Sequence, residues 1–290
     1  MPTAFVLSGG CSLGAVQVGM LRALAARGIR PDFLVGTSAG AFNAAYISGH
    51  GLTAGSLDRL EAVWAGLVRR DVFPLDPTRV LRSLGGATNA LCSDRGLRSL
   101  VVRHLPFSRL EDAPIPLHVV ATDFLSGQEV LLSSGPAVDA VVASGAIPGL
   151  LPSVPYEGAH LVDGGLADNA AISQAVALGA RQVYVLPTGY SCALPGPPRT
   201  PLGAAAHAFS ILVQQRLVTE LERYADSARL VVLPSPCPIR VPAIDFGHAR
   251  QLAADGRASA EAALAVHDGR RPDPAAAVAI HRHPPLRRPA

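Results

Sequence analysis

Phe33-Leu34-Val35 runs into Gly36-Thr37-Ser38-Ala39-Gly40, and the small and apolar stretch Ala41-Phe42-Asn43-Ala44-Ala45 follows. No other part of the chain narrows the fold as much. A short apolar run, a Gly-x-Ser-x-Gly turn and a helical stretch together form the strand–turn–helix context of a nucleophile elbow. Such a turn holds the serine in a strained backbone conformation and presents its hydroxyl. Gly36 and Gly40 have no side chains, so the strand and the helix can approach closely there. The helix N-terminus after Ser38 offers unpaired N–H groups and a positive dipole end to a developing negative charge. Read alone, the stretch also fits an ordinary strand-to-helix turn that happens to contain serine.

The residues before the elbow set its surroundings. Thr3 to Leu7 reads as a buried strand, Ser8-Gly9-Gly10-Cys11-Ser12-Leu13-Gly14 as a glycine-rich loop, and Ala15 to Arg27 as a helix with Val16, Met20, Leu21 and Leu24 at helical spacing. The order strand, loop, helix, strand, elbow, helix implies a parallel sheet with helices on its faces. A dinucleotide reading of the glycine loop fits poorly. Cys11 occupies the middle glycine position, and no acidic residue ends the second strand. The loop is better used as an oxyanion hole, its backbone N–H groups converging on the oxygen of a tetrahedral intermediate. Elbow and loop on adjacent parallel strands would sit side by side at the carboxyl edge of the sheet.

Composition removes several alternatives. All 25 basic residues are arginine, which excludes Schiff-base chemistry, serine–lysine dyads and a P-loop lysine. Net charge is +3, but residues 270–290 alone contribute +4, so the body of the chain is near neutral and nucleic-acid binding is not expected. Cys11, Cys92, Cys192 and Cys237 are scattered, with no metal-ligand spacing and no sign of a disulfide framework. The chain shows no signal-peptide pattern and no apolar run of transmembrane length, so a reducing, cytoplasmic setting is expected. With 290 residues and 49% hydrophobic content, one α/β domain with a substantial core is the expected organisation.

Residues 51–116 are less regular. Ser56 is expected to cap a helix through Arg69, and Asp94 to start another through His104, with loops around Pro74, Pro77, Gly85 and Gly86 between them. The helix carrying Trp64 is expected to pack in the core, with a lid as the alternative. Leu117 to Asp123 and Glu129 to Leu132 read as a hairpin, Val138 to Ser144 as a helix, and Leu150 to Val154 as an apolar loop. Leu161-Val162-Asp163-Gly164-Gly165 reads as a strand entering a tight turn. Asp163 by itself fits a turn-forming aspartate. Asp168 and Asn169 read as a helix start, Gln182 to Leu186 and Arg229 to Leu233 as strands, and Leu202 to Ala225 and His248 to His267 as helices. The proline- and arginine-rich residues 269–290 read as a disordered tail, with attraction to anionic lipid as the alternative.

A loop of backbone donors, an elbow serine and a later aspartate point to one chemistry. None of the nine histidines sits in a recognisable catalytic signature, and Ser38 comes too early for an ordinary α/β-hydrolase. The combination resembles the patatin-like phospholipases. Gly9-Gly10-Cys11-Ser12-Leu13-Gly14 is similar to the family's oxyanion loop, Gly36-Thr37-Ser38-Ala39-Gly40 to its elbow, and Asp163-Gly164-Gly165 to its Asp-Gly-Gly/Ala motif. Ala121-Thr122-Asp123, Ser144-Gly145-Ala146-Ile147-Pro148 and Asn169 are similar to further landmarks. The resemblance is firm over about residues 4–190.

That resemblance implies a single three-layer α/β domain over residues 4–268, with a central, mostly parallel sheet and helices on both faces. It implies a serine–aspartate dyad, with Ser38 as nucleophile and Asp163 as base, and oxyanion donors at Gly9, Gly10 and Cys11. Gly14, Gly36, Gly40, Gly164 and Gly165 would support the motifs. No metal or cofactor is needed for that mechanism. The implied activity is hydrolysis of an acyl ester, a phospholipid, lysophospholipid or neutral lipid, with peripheral membrane contact. Acyl transfer to an alcohol, or a catalytically weak lipid-binding or scaffold role, are the alternatives. Two residues depart from the family pattern: Cys11 replaces a third glycine, and Leu13 stands where arginine or lysine is common. Nothing in the sequence specifies an oligomeric state.

Overall fold

The computed structural model describes residues 1–189, 196–239 and 241–266, together with 274, 278 and 279. The chain opens with β1 (Thr3–Leu7), passes through a 3-10 turn at Cys11–Gly14 into α1 (Ala15–Ala26), and returns as β2 (Phe33–Thr37) before α2 (Ala39–His50). The helices α3 (Ala54–Gly66), α4 (Arg69–Val72), α5 (Pro77–Leu84) and α6 (Arg95–His104) follow. Next come β3 (Leu117–Asp123), β4 (Glu129–Leu132), α7 (Ala137–Ser144), β5 (Val154–Tyr156) and β6 (Ala159–Asp163). A 3-10 turn at Gly164–Leu166 leads to α8 (Ile172–Ala177), and then to β7 (Gln182–Leu186), α9 (Pro201–Tyr224), β8 (Arg229–Val232) and α10 (Ala249–Val266).

Alternate residues of the central strands enter two different cores, because side chains on a strand point to opposite faces with period two. Phe5 and Leu7 of β1, Leu34 of β2, Val119 of β3 and Leu186 of β7 join α1, α2, α3, α6, α7 and α10 in the larger cluster. Ala4, Val6, Val35, Val120, Val183 and Val185 join Ile172 of α8 and Leu217 and Leu221 of α9 in the smaller one. Burial on both faces explains why these strands read as continuous apolar runs and not as alternating ones. The result is the expected three-layer α/β domain. Hydrogen-bonded neighbours run β5-β6-β3-β2-β1-β7-β8, with β4 also on β3. The pairs β3–β2, β2–β1, β1–β7 and β7–β8 are parallel, and the β4, β5 and β6 pairings are antiparallel.

Several local expectations need correction. Thr53, not Ser56, caps α3; Ser56 sits at the third position and returns a hydrogen bond to the Thr53 N–H, a reciprocal capping box. The expected loop at 74–86 contains α5, for which Asp76 supplies the cap and Pro77 the pre-set first residue. Asp168 and Asn169 do not start a helix; α8 begins at Ile172. The apolar segment ending at Val154 feeds a strand, β5. The expected tail lies largely outside the described residues, as does Cys192. Val278, within it, is buried in the smaller core, and its carbonyl accepts from Gln214 Nε2 at 2.6 Å. Among the described residues no helix is long and apolar enough to cross a membrane.

Candidate active site

The registers on β3 bring the two ends of the site together. Residues 119 and 120 pair with both β2 and β4, so those strands lie on opposite edges of β3. Residues 121 and 122 pair with both β4 and β6, so β6 also lies opposite β4. One edge of β3 therefore carries β2 and then β6 in succession. The β2 ladder ends at Thr37 opposite Val120, and the β6 ladder begins at Asp163 opposite Ala121. Ser38, the next residue after β2, meets Asp163 end to end. Gly164 makes that meeting feasible, since a Cβ there would lie 2.3 Å from the Val120 carbonyl oxygen.

Ser38 has φ 53° and ψ −121°, a left-handed conformation that side-chain-bearing residues rarely adopt. The surroundings hold it there. Its N–H donates to Ser144 Oγ at 2.7 Å, and Ser144 Oγ donates in turn to the Val120 carbonyl. Gly40 lets α2 close against β1, where a Cβ would lie 2.1 Å from the Leu7 carbonyl oxygen, and Gly36 faces Ala41 with similar closeness. Ser38 Oγ donates to Asp163 Oδ2 at 2.8 Å. Asp163 Oδ1 accepts from the Gly165 N–H, also at 2.8 Å. Both Ser38 and Asp163 are 8% exposed. Burial pushes the Asp163 carboxyl up from 3.8 to about 6, against the two hydrogen bonds that favour its charged form.

The glycine loop differs in part from expectation. The Gly9 N–H, expected as an oxyanion donor, is hydrogen-bonded to Asn169, through Oδ1 at 3.1 Å and the carbonyl oxygen at 3.3 Å. The reason it is glycine is space, since a Cβ there would lie 2.9 Å from Ser38 Cβ. The N–H groups of Gly10 and Cys11 have no acceptor among the described residues. Thr188 Oγ1 donates to the Gly9 carbonyl at 2.6 Å and fixes the loop from the β7 side. Cys11 has φ 50°, so the residue at the expected third-glycine position adopts a glycine-like conformation despite its Cβ. Burial first, and then the nearby Asp163 charge, pushes the Cys11 thiol up to about 12, so it stays protonated. Gly14 ends the 3-10 turn against the Trp64 ring, and Leu13 joins the apolar cluster.

Ser38 and Cys11 open onto a small cleft of about 50 Å³. Its walls are otherwise apolar, with Phe42, Trp64, Leu67, Phe73, Ile147 and Phe246 prominent among them. Trp64 is both core and wall: it is buried, stacked on Phe246 and set edge-on to Phe42. A hydroxyl held by a carboxylate, beside two open N–H groups and an apolar cleft, can accept an acyl group from an ester. No histidine hydrogen-bonds to Ser38 or Asp163 in the described structure. Among the described residues no cluster of three histidine, cysteine or acidic side chains could hold a metal. Sequence reading did not assign roles to Ser144, Thr188, Gln17 or Asn43. Gln17 and Asn43 were detectable as amides on helical stretches that are otherwise small and apolar.

Comparison with known proteins gives the same direction. Patatin-like phospholipase domain-containing protein 7 of Rattus norvegicus is 29% identical over 192 residues, covering 64% of this chain and 13% of the relative. Lysophospholipase NTE1 of Pyricularia oryzae is 29% identical over 191 residues, covering 63% of this chain and 12% of the relative. An NTE family protein of Mycobacterium tuberculosis is 34% identical over 167 residues, 57% of this chain and 43% of the relative. The chain thus spans less than half the length of each. The crystal structure of VipD from Legionella pneumophila aligns with 92% of this chain and 67% of that one, at 16% identity and a TM-score of 0.49. The family model described as Patatin-like phospholipase matches residues 5–176, the span that carries the glycine loop, the elbow and the Asp-Gly-Gly turn, and on that match the chain belongs to the patatin-like phospholipase family.

Proposed function

We propose that this chain is a serine acyl hydrolase of lipid esters that works with a Ser38–Asp163 dyad. The observation that carries the reading is the 2.8 Å hydrogen bond to Asp163 Oδ2 from the Oγ of Ser38, a residue that lines an apolar cleft. Asp163, deprotonated, takes the hydroxyl proton as Ser38 Oγ bonds to the ester carbonyl carbon. The oxyanion that forms is met by the N–H groups of Gly10 and Cys11 and by the N-terminus of α2. The tetrahedral intermediate collapses, the C–O bond to the leaving alcohol breaks, and Asp163 returns its proton to that alcohol. Water then gives a proton to Asp163 and attacks the acyl-serine carbonyl carbon; the bond to Ser38 Oγ breaks, Oγ takes the proton back from Asp163, and the fatty acid is released. A carboxyl near 6 is better matched to base chemistry at neutral pH than an ordinary aspartate. No step calls on a metal or cofactor.

The cleft walls suit an acyl chain, and the names of two relatives, a phospholipase-domain protein and a lysophospholipase, favour phospholipid or lysophospholipid esters. Trp64 and Phe73 are buried and offer no surface for contact with lipid. The exposed Val68, Leu75 and Leu81 flank the cleft-lining Val72 and Phe73, with Arg69, Arg70 and Arg82 beside them and unpaired among the described residues. That mixture supports peripheral contact with anionic lipid.

The test is fluorophosphonate labelling of the purified chain, followed by product analysis on esters of increasing acyl length and on a lysophospholipid. Labelling at Ser38 with release of free fatty acid is expected. An unlabelled, inert chain would overturn the reading, and acyl transfer in preference to hydrolysis when an alcohol is added would replace it with an acyltransferase.

A further inference from the structure

Two fully buried amides lie beside the glycine loop and have no part in the steps above. Gln17, in the first turn of α1, and Asn43, on α2, are both 0% exposed. Gln17 Nε2 donates to the Ser8 carbonyl at 2.9 Å and to the Leu186 carbonyl at 2.8 Å. Gln17 Oε1 accepts from Asn43 Nδ2 at 2.8 Å. Asn43 Nδ2 also donates to the Gly14 carbonyl at 2.9 Å, and Asn43 Oδ1 accepts from Trp64 Nε1 at 2.8 Å. Each amide nitrogen faces two acceptors, which uses both of its hydrogens and allows only one orientation of each side chain.

Ser8 and Gly14 are the two shoulders of the loop that carries Gly10 and Cys11. One shoulder is held by Gln17 and the other by Asn43, and the two side chains hold each other. The far end of this chain is the Trp64 indole, a wall of the cleft. Burying two amides is costly unless every donor is satisfied. Apolar residues at 17 and 43 would fill the same space without that demand, but would leave the loop shoulders unheld. Cys11, at φ 50°, sits midway between the shoulders in a conformation that nothing intrinsic to cysteine favours.

We propose that Gln17, Asn43 and Trp64 form a clamp that positions the Gly10 and Cys11 N–H groups for the oxyanion, which makes them positioning residues for the ester hydrolysis described above. The inference rests on that reading of Ser38. The clamp touches neither Ser38 nor Asp163 by hydrogen bond; its direct hydrogen bonds to the loop are to the Ser8 and Gly14 carbonyls.

The experiment uses the full chain with Gln17→Met, Asn43→Leu, the double variant, and Trp64→Phe. The last keeps an aromatic wall and removes only the indole N–H. Displacing a reacting group by about 1 Å can cost on the order of 100-fold in rate. Gln17→Met is therefore expected to lower kcat by roughly that factor, with KM for a soluble ester nearly unchanged, and Trp64→Phe to lower it several-fold. The double variant should be little worse than Gln17→Met, because the residues act as a unit. Fluorophosphonate labelling separates positioning from folding: its final extent counts folded sites, and its rate constant follows oxyanion stabilisation. The expected result is near-complete labelling at a slowed rate. Variants that label at the wild-type rate per folded site, with only a lower melting temperature, would overturn the clamp. Should Gln17→Met fail to fold, Trp64→Phe decides alone by the same rate constant. An inert, unlabelled wild-type chain would sink the reading of Ser38, and the clamp with it; an active wild type with unmoved variants sinks the clamp only.

Discussion

Replacing Asp163 with asparagine should abolish turnover and at the same time stabilise the protein, by an amount that depends on pH. Burial holds the Asp163 carboxyl at about 6 against an ordinary value of 3.8. A carboxyl whose folded pKa is raised binds its proton more tightly in the folded chain than in the unfolded one. Its contribution to stability is therefore full below about 3.8 and is lost as pH rises through about 6. At 1.36 kcal/mol per pH unit the complete loss is about 3 kcal/mol. Asparagine has no proton to lose. Its Oδ1 can keep the bond from the Gly165 N–H, and its Nδ2 can face Ser38 Oγ. Stability of Asp163→Asn relative to wild type should thus rise with pH, and linkage puts about 2 kcal/mol of that rise between pH 4.5 and 7.5. Urea unfolding of both proteins at the two pH values measures it. Asp168, which burial first and then Glu129 and Glu220 push up to about 7, has the same sign of pH dependence, and the comparison cancels it. The wild-type kcat/KM should fall as pH drops through about 6. A stability difference that is the same at both pH values, or one that shrinks toward pH 7.5, would refute the argument that burial of a base at this position sets its proton affinity.

Three further outcomes follow from the site. Ser38→Ala and Asp163→Asn should each lower ester turnover by several orders of magnitude, and the double variant should be little worse than either; single replacement of His118, His160, His207 or His248 should leave most activity, and a folded histidine variant as inert as Ser38→Ala would reveal a missed base. Cys11→Gly should change kcat only modestly, because the backbone donor is kept, and its stability should stay within about 1 kcal/mol of wild type, as relief of the left-handed strain is offset by glycine's greater unfolded freedom; steady-state kinetics and urea unfolding check both, and a sharp rise in turnover would mean that the thiol distorts the loop. Arg69→Glu, Arg70→Glu and Arg82→Glu combined should weaken sedimentation with anionic liposomes and spare hydrolysis of a soluble ester; wild-type binding that added salt does not weaken would rule out an arginine-based surface contact.

The elements that position this site were legible in the sequence wherever local chemistry sets the conformation by itself. The strands at Thr3–Leu7, Leu117–Asp123 and Gln182–Leu186 stand out as apolar runs because burial on both faces demands them. The elbow is legible because glycine is required at Gly36 and Gly40 for a close approach that no other residue permits. Short elements were less visible. The helix at Pro77–Leu84 lies in a stretch punctuated by proline and glycine, and only its Asp76-Pro77 start betrays it. The capping role passed from Ser56 to Thr53 because both hydroxyls fit and tertiary position chose between them.

What the tertiary structure decided is how groups distant in sequence meet. Ser38 and Asp163 are 125 residues apart, and their contact depends on two strands of opposite direction sharing one edge of β3. That register is a long-range property of the sheet and is written in no local window. The Gly9 N–H was an equal candidate donor until Asn169, 160 residues away, occupied it. The glycine-like angle at Cys11 is imposed from outside, since cysteine has no intrinsic preference for it. Gln17 and Asn43 carry the same lesson, because an amide in a helix is ordinarily a solvated group and only the assembled core supplies the two carbonyls, the partner amide and the indole that make burial tolerable. Residue type and spacing determined which groups were available; the pairing of distant strands, with the burial that follows from it, determined which of them are hydrogen-bonded to one another, as Ser38 is to Asp163, and which backbone N–H groups, those of Gly10 and Cys11, are left without an acceptor among the described residues.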